Sequence, residues 1–429
     1  MDLLIKNGRV IDPGNGVDKV CDVLISETKF AAVGEGISAG TDVKVIDATG
    51  KLVVPGLIDI HVHFREPGNE EVETIASGSA AAVAAGFTSV VCMPNTDPAI
   101  ENETDIEYVH RKGRQTRKTH VYVMGAATKR REGVELADMG FMSEAGAVGF
   151  TDDGSGIQDP AVMLKVLKYA KMFGKVVSQH CEDKSYSAEG SMNGGYLATV
   201  LGLAGMDNLS EEAMLWRDIQ LVKKTGARYH AQHVSTAGSV EIIRQAKSEG
   251  LSVTCEVTPH HLLLTEDCCV DYDTNYKVNP PLRKASDVEA LRQAVGEGLV
   301  DALATDHAPH LKSEKDLEFS AAPFGIASLE CVFGLYRRAL VDSGILDWSG
   351  LISLMTAGPG RVVGIDKGTM SIGMQGDVTI IDAEREYTVD TRLWRSKSKN
   401  CPYNGWGLKG VVEKTIVGGE IRFDLEAEG

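Results

Sequence analysis

Paired cysteines are the first thing this chain does not have. Cys21, Cys92, Cys181, Cys255, Cys268, Cys269, Cys331 and Cys401 form no Cys-x-x-Cys motif and no regular framework. That excludes a disulfide-stapled scaffold and leaves free thiols in a reducing compartment. Basic residues are in deficit: 44 Lys and Arg stand against 61 Asp and Glu, a formal net charge of −17. Neither nucleic acid nor an anionic membrane is therefore expected as a partner. No segment runs 18 residues apolar without a charge, and Met1-Asp-Leu-Leu-Ile-Lys lacks the basic region and long apolar stretch of a secretory signal. A cytoplasmic protein is the expectation. Internal repeats and low-complexity tracts are also missing. Gly34, Gly36 and Gly40 have a superficial likeness to a dinucleotide loop, but no suitable helix follows them, so they read as turn glycines.

What is present is an alternation of apolar, β-branched runs with helical patterns. The runs lie at 52–62, 87–93, 119–125, 146–151, 175–180, 228–233, 251–257 and 300–305. Between them are helical stretches such as 74–85, closed by Gly86, 160–173, opened by Pro160 and followed by Gly174, and 236–249, closed by Gly250. Eight strands alternating with helices predict an α/β fold, a (β/α)8 TIM-type barrel, with function on the loops after the strands. The ends of the chain differ. Residues 1–51 and 366–429 carry short alternating runs broken by turns, such as Leu4-Ile-Lys-Asn-Gly-Arg-Val-Ile-Asp-Pro-Gly and Gly376-Asp-Val-Thr-Ile-Ile-Asp, and read as β-hairpins. Neither half is large enough for its own core. The expected arrangement is one small β-sandwich domain built from both termini (1–51 plus 366–429) beside a barrel at 52–365.

Six residues stand at the ends of the predicted barrel strands: His61, His63, Asp153, His180, His233 and Asp306. One histidine near a strand end is usually just a satisfied polar residue. His61 and His63, however, are spaced i, i+2 and must share a face of their strand. Two aligned imidazoles suit zinc. Thr305-Asp306-His307 after the apolar Leu299-Val-Asp-Ala-Leu-Ala run adds a carboxylate at a corresponding place, and the set reads as one metal centre.

Three segments then narrow the reading. Asp59-Ile-His-Val-His-Phe-Arg-Glu-Pro67, Gly86-Phe-Thr-Ser-Val-Val-Cys-Met-Pro-Asn-Thr96 and Ala304-Thr-Asp-His-Ala-Pro-His310, with Lys315 downstream, resemble the signature segments of dihydroorotases in the amidohydrolase superfamily, over essentially the whole chain. The resemblance implies interconversion of N-carbamoyl-L-aspartate and L-dihydroorotate in pyrimidine biosynthesis. Hydantoinases and allantoinases of the superfamily bridge two metals with a carboxylated lysine on the fourth strand, whereas this chain has Gly149-Phe-Thr-Asp-Asp-Gly154 there. Bacterial class I dihydroorotases are similar in carrying an aspartate, which maps to Asp153 with Asp152 as the fallback. An aspartate reaches less far than a carboxylated lysine, so the second metal position is the less secure.

By that resemblance His61, His63, Asp153 and Asp306 hold a first zinc, and Asp153, His180 and His233 a second. Asp306 is the catalytic residue that shuttles the proton. His63, Arg65, Asn95, Asn279, His310 and the backbone at Phe324 and Gly325 contact substrate. Arg65 offers a bidentate fork to the dihydroorotate carboxylate, Asn95 and His310 complete that clamp, and Asn279 reads the ring amide. His260 and His261 are left outside the site. Residues 311–322 read as too polar to pack permanently, hence a mobile lid. Two rival readings stay open: another cyclic-amide hydrolase (dihydropyrimidinase or allantoinase), and a non-catalytic scaffold for aspartate carbamoyltransferase. The partners expected are the small-molecule substrate, an aspartate carbamoyltransferase in some arrangements, and a second copy of the chain in a homo-oligomer.

Overall fold

In the computed structural model, which describes residues 2–38, 40, 43–187 and 189–428, the chain begins with five strands. These are β1 (Asp2–Asp12), β2 (Val17–Ser26), β3 (Lys29–Gly34), β4 (Val43–Asp47) and β5 (Leu52–Pro55). The strands β6 (Leu57–Val62), β7 (Phe87–Cys92), β8 (His120–Gly125), β9 (Gly149–Phe150) and β10 (Val176–Gln179) follow. After a two-residue pair, β11 (Met192–Asn193) and β12 (Gly205–Met206), come β13 (Arg228–Ala231), β14 (Val253–Val257) and β15 (Ala302–Leu303). The C-terminal part supplies β16 (Val378–Thr388), β17 (Gly407–Val417) and β18 (Glu420–Asp424).

Eight of these, β6 to β10 and β13 to β15, form one parallel sheet in chain order. Its two edges are joined by a parallel bridge between Val62 and His307, with the His63 N–H donating to His307 O at 2.9 Å. This is the predicted TIM-type barrel. Its helices begin where the capping chemistry puts them. Thr74 accepts from Ser77 N at the head of Ile75–Ala84, Asp159 caps the helix whose first residue is Pro160, and Thr236 accepts from Ser239 N before Ala237–Ser248. Strand residues Val90, Val123, Phe150, Val177, Tyr229 and Val257 pack with helix residues Val109, Leu167, Leu215, Ile243 and Leu291 in one continuous core.

The run read from sequence as a single strand over 52–62 is two. Leu52–Pro55 pairs with β1 and β16 in the terminal sheet, and only Leu57–Val62 enters the barrel. Gly56 makes the break, and a Cβ there would lie 2.1 Å from Thr88 Oγ1. Hydrophobic periodicity cannot locate such a break, since both halves are fully buried. The two termini do combine: their strands hydrogen-bond in one eight-stranded sheet, in the order β18-β17-β16-β5-β1-β2-β3 with β4 on β1. Ile5, Val10, Val23, Ile25, Phe30, Val53, Ile380 and Ile416 give it a core of its own. It is tied to the base of the barrel by Thr379 Oγ1 donating to Gly86 O and Thr415 Oγ1 to Val83 O, both at 2.6 Å.

Candidate metal centre and substrate pocket

All six predicted strand-end residues converge and are buried. His61 ends on β6 and His63 follows it, Asp153 follows β9, His180 follows β10, His233 follows β13 and Asp306 follows β15. His61 Nε2 lies 3.5 Å from Asp153 Oδ1 and 3.4 Å from Asp306 Oδ1, while His63 Nε2 is 3.7 Å from Asp153 Oδ2 and 2.9 Å from Asp306 Oδ1. On the far side of Asp153, His180 Nδ1 and His233 Nε2 meet at 2.9 Å, each 4.0 Å from Asp153 Oδ1. Asp152, the fallback, faces elsewhere and accepts from the N–H groups of Ala127 and Thr128. Two of the six sit in the left-handed backbone region, His233 at φ 31° and Asp306 at φ 47°. Such conformations are unfavourable for side-chain-bearing residues and are held only where surrounding structure imposes them.

Hydrogen bonds decide which imidazole nitrogens face inward. His61 Nδ1 is 2.6 Å from Glu256 Oε1 and His63 Nδ1 is 2.8 Å from Asn95 Oδ1, so each ring is held by its Nδ1 and turns Nε2 toward Asp153 and Asp306. His180 does the reverse: its Nε2 donates to Glu182 Oε2 at 3.1 Å and Nδ1 faces inward. A divalent cation fits this set. His61 Nε2, which faces both aspartates, is buried without a hydrogen-bond partner, and His61, His63 and Asp306 gather their donor atoms as closely as a metal would need, as do His61, Asp153 and His233. Ligands of a four-coordinate zinc, at bond lengths of ~2.0–2.1 Å, stand about 3.4 Å apart, which matches the separations of His61 Nε2 from Asp153 at 3.5 Å and from Asp306 at 3.4 Å.

The centre opens into a cavity of about 310 Å3 lined by every predicted substrate residue: His63, Arg65, Asn95, Asn279, His310, Phe324 and Gly325. Arg65 Nε donates to Pro309 O at 3.2 Å, and burial lowers its pKa only to about 10, so it stays cationic at neutral pH. Its Nη2 lies 3.3 Å from His310 Nε2, which also meets Phe324 O at 2.8 Å. Burial first, then the Arg65 charge, pushes His310 down to about 3, so the ring is neutral. Asn279 Nδ2 donates to Glu182 Oε2 at 2.9 Å and leaves Oδ1 as its free acceptor. The Gly325 N–H is already committed to Lys277 O at 2.9 Å.

Sequence reasoning missed the residues behind the site. Glu256 and Glu182 orient His61 and His180, and Asp59 accepts from Thr305 Oγ1 at 2.6 Å and from the His61 N–H at 3.1 Å. Asp59 and Glu256 had a signal, since each is a carboxylate inside a mostly apolar barrel strand; Glu182 had none. The segment expected to be a lid, residues 311–322, is anchored at three side chains: Phe319 and Ala322 are buried, and so is Lys315, whose Nζ donates to the carbonyls of Pro323 at 2.9 Å and Gly325 at 3.1 Å, while seven of its twelve residues are exposed. A lysine that looks like a solvated charge is satisfied by main-chain oxygens.

A parallel barrel with four histidines and two aspartates gathered at the C-terminal ends of its strands defines a metal-dependent hydrolase of the amidohydrolase type. Solved structures of that type superpose on it. L-Hydantoinase from Arthrobacter aurescens has a TM-score of 0.86 at 27% identity, covering 98% of this chain and 95% of its own. Dihydropyrimidinase from Brevibacillus agri has a TM-score of 0.85 at 24% identity over the same shares and supports the fold alone. Sequence comparison goes further. The chain is 49% identical to a dihydroorotase of Pelotomaculum thermopropionicum over 98% of both chains. It is 47% identical to one of Caldanaerobacter subterraneus subsp. tengcongensis over 99% of this chain and 97% of the relative. A family model described as Dihydro-orotase-like matches residues 50–239. The chain belongs to the dihydroorotase family.

Proposed function

We propose that this chain interconverts N-carbamoyl-L-aspartate and L-dihydroorotate in pyrimidine biosynthesis. The observation that carries the reading is Arg65, a cation 3.3 Å from His310 in the wall of a cavity that also contains Asp306 and Asn279. A dihydropyrimidinase or allantoinase substrate has no carboxylate for it to meet. His61, His63, Asp153 and Asp306 would hold one zinc, and Asp153, His180 and His233 a second. Bound there, zinc would acidify water and polarise the carbonyl under attack.

The chain's own groups do the rest. Arg65, with Asn95 and His310, holds the carboxylate and fixes the ring in the pocket, and Asn279 Oδ1 accepts from a ring N–H. In ring opening, water adds to the amide carbonyl carbon as the carbon–nitrogen bond breaks. Asp306 takes the proton from the water and delivers it to the departing ring nitrogen, which becomes the terminal NH2 of the carbamoyl group. Ring closure runs the same steps backwards. A cytoplasmic homo-oligomer, working alone or with an aspartate carbamoyltransferase, fits this reading, as does a division into a barrel and a module of both termini.

The test is hydrolysis of dihydroorotate, dihydrouracil and allantoin by purified protein, with metal content measured by mass spectrometry and with the carbamoyltransferase present or absent. Dihydroorotate is expected to be the preferred substrate by ~100-fold or more in kcat/KM. Preference for either rival, or no turnover under any condition, refutes the proposal.

A further inference from the structure

Arg65 and His310 leave different strands and sit on separate loops, yet the carboxylate clamp needs them at a fixed spacing. A third segment joins those loops. Ser396 to Asn400 belongs to the C-terminal part of the chain, between β16 and β17, and its Ser396, Ser398 and Asn400 are buried. At one end it holds the loop that carries Arg65: Ser396 Oγ donates to Glu73 Oε2 at 2.5 Å and Ser398 Oγ to Val72 O at 2.9 Å. At the other, Asn400 holds the loop that carries His310. Its Oδ1 accepts from the His310 N–H at 3.0 Å, and its Nδ2 donates to Ala308 O at 3.0 Å and to Gly325 O at 3.1 Å. The Asn400 carbonyl accepts from Ala327 N at 2.9 Å.

Both donors of the amide and one lone pair are thus spent on main-chain groups beside the pocket, and the planarity of the amide fixes those three groups relative to one another. Ala308, His310 and Gly325 all line the cavity, whereas Asn400 does not. There is no slack at the contact: Gly325 is at φ 148°, and a Cβ on it would lie 2.8 Å from Ala308 O and 2.8 Å from His310 Cδ2.

Resting on the function proposed above, we infer that Asn400 is a positioning residue for substrate-carboxylate recognition, and that the segment 396–400 is the brace that sets the distance between Arg65 and His310. It touches neither substrate nor metal site, so its removal loosens binding and spares the chemical step.

The experiment uses full-length, metal-loaded protein and measures kcat and KM for dihydroorotate in Asn400→Ala and Ser398→Ala, each alone and combined with Arg65→Met. Asn400→Ala is expected to raise KM ~10-fold with kcat within ~3-fold of wild type, and Ser398→Ala to do the same more weakly. Metal content stays unchanged. Once Arg65 is gone the brace has little left to position, so either change adds less than ~2-fold in the Arg65→Met background. Losses that multiply in the double variants, or a fall in kcat at unchanged KM, overturn the inference. Should Asn400→Ala not fold, Ser398→Ala decides, and an unchanged KM there overturns it. A wild-type protein that does not act on dihydroorotate at all would instead refute the proposed function, so the two failures are separable.

Discussion

Asp306 sits where three demands meet: it lies 3.4 Å from His61 and 2.9 Å from His63, and its backbone is held at φ 47°. Burial alone would raise its pKa, but the neighbouring histidines outweigh that and hold the carboxyl well below its ordinary value, so it stands ionised. Asp306→Asn keeps the size and removes the charge. Turnover is expected to fall ~1,000-fold or more while the far-ultraviolet circular dichroism stays that of wild type. Near-normal turnover would remove Asp306 from the proton path. Glu256 acts one step further out: it is fully buried, accepts from His61 at 2.6 Å and lies 3.1 Å from His230 Nε2. Burial opposes its ionisation, yet the His61 charge and the hydrogen bonds lower its pKa to about 2. Glu256→Gln should weaken metal binding ~10-fold to ~100-fold, read by competition with a chelator. Unchanged affinity would mean that His61 does not need its partner.

At the scale of elements, the stretch 311–322 is the instructive case. Its short helix Lys312–Lys315 turns Lys315 inward onto carbonyls, and Phe319 beyond it is buried in an apolar cluster with Val278 and Ile326. Amide hydrogen exchange over 314–322 is therefore expected to be slow without any ligand, and to change little when dihydroorotate is added. Fast exchange that slows on binding would restore the lid. Lys315 also links this element to pH. Burial, with a smaller push from Lys277, lowers its pKa from 10.5 to about 7. Between those values the unfolded chain holds a proton that the folded chain has released, so the folded state gains stability as pH rises from 7 toward 10.5, and the cost of the buried charge is complete below pH 7. The Tm of wild type relative to Lys315→Met should accordingly rise from pH 7 to pH 9. A constant difference would show that the ammonium is fully satisfied by its carbonyls.

For the whole molecule, the candidate metal centre stands at one end of the barrel, on residues at or just after the ends of its strands, while apolar side chains fill the barrel core and the core of the terminal sheet. Removing metal with a chelator should abolish turnover and lower Tm by several degrees, because buried carboxylates and imidazoles lose their common counter-ion, while secondary structure persists and added zinc restores activity. Loss of the circular dichroism signal on chelation would make the metal part of the fold. No helix among the described residues is long and apolar enough to cross a membrane.

The sequence by itself determined the alternation that makes the barrel, the helix starts at Thr74, Asp159 and Thr236, and the strand-end position of every residue now found at the centre. All of these depend on neighbours within a few positions: a two-residue period, a capping side chain, a glycine after the last turn. Only the tertiary structure decided that Gly56 divides one apolar run between two sheets, and that Asp153 rather than Asp152 faces the histidines. It also decided that Lys315 points inward and that Glu182, Glu256 and Asn400 stand behind the site. Several of those outcomes rest on a partner far along the chain, such as Thr88 for Gly56 or His61 for Glu256 across 195 residues of separation. A buried polar side chain is tolerated only where such a partner exists, and the partner becomes visible only when the barrel has closed.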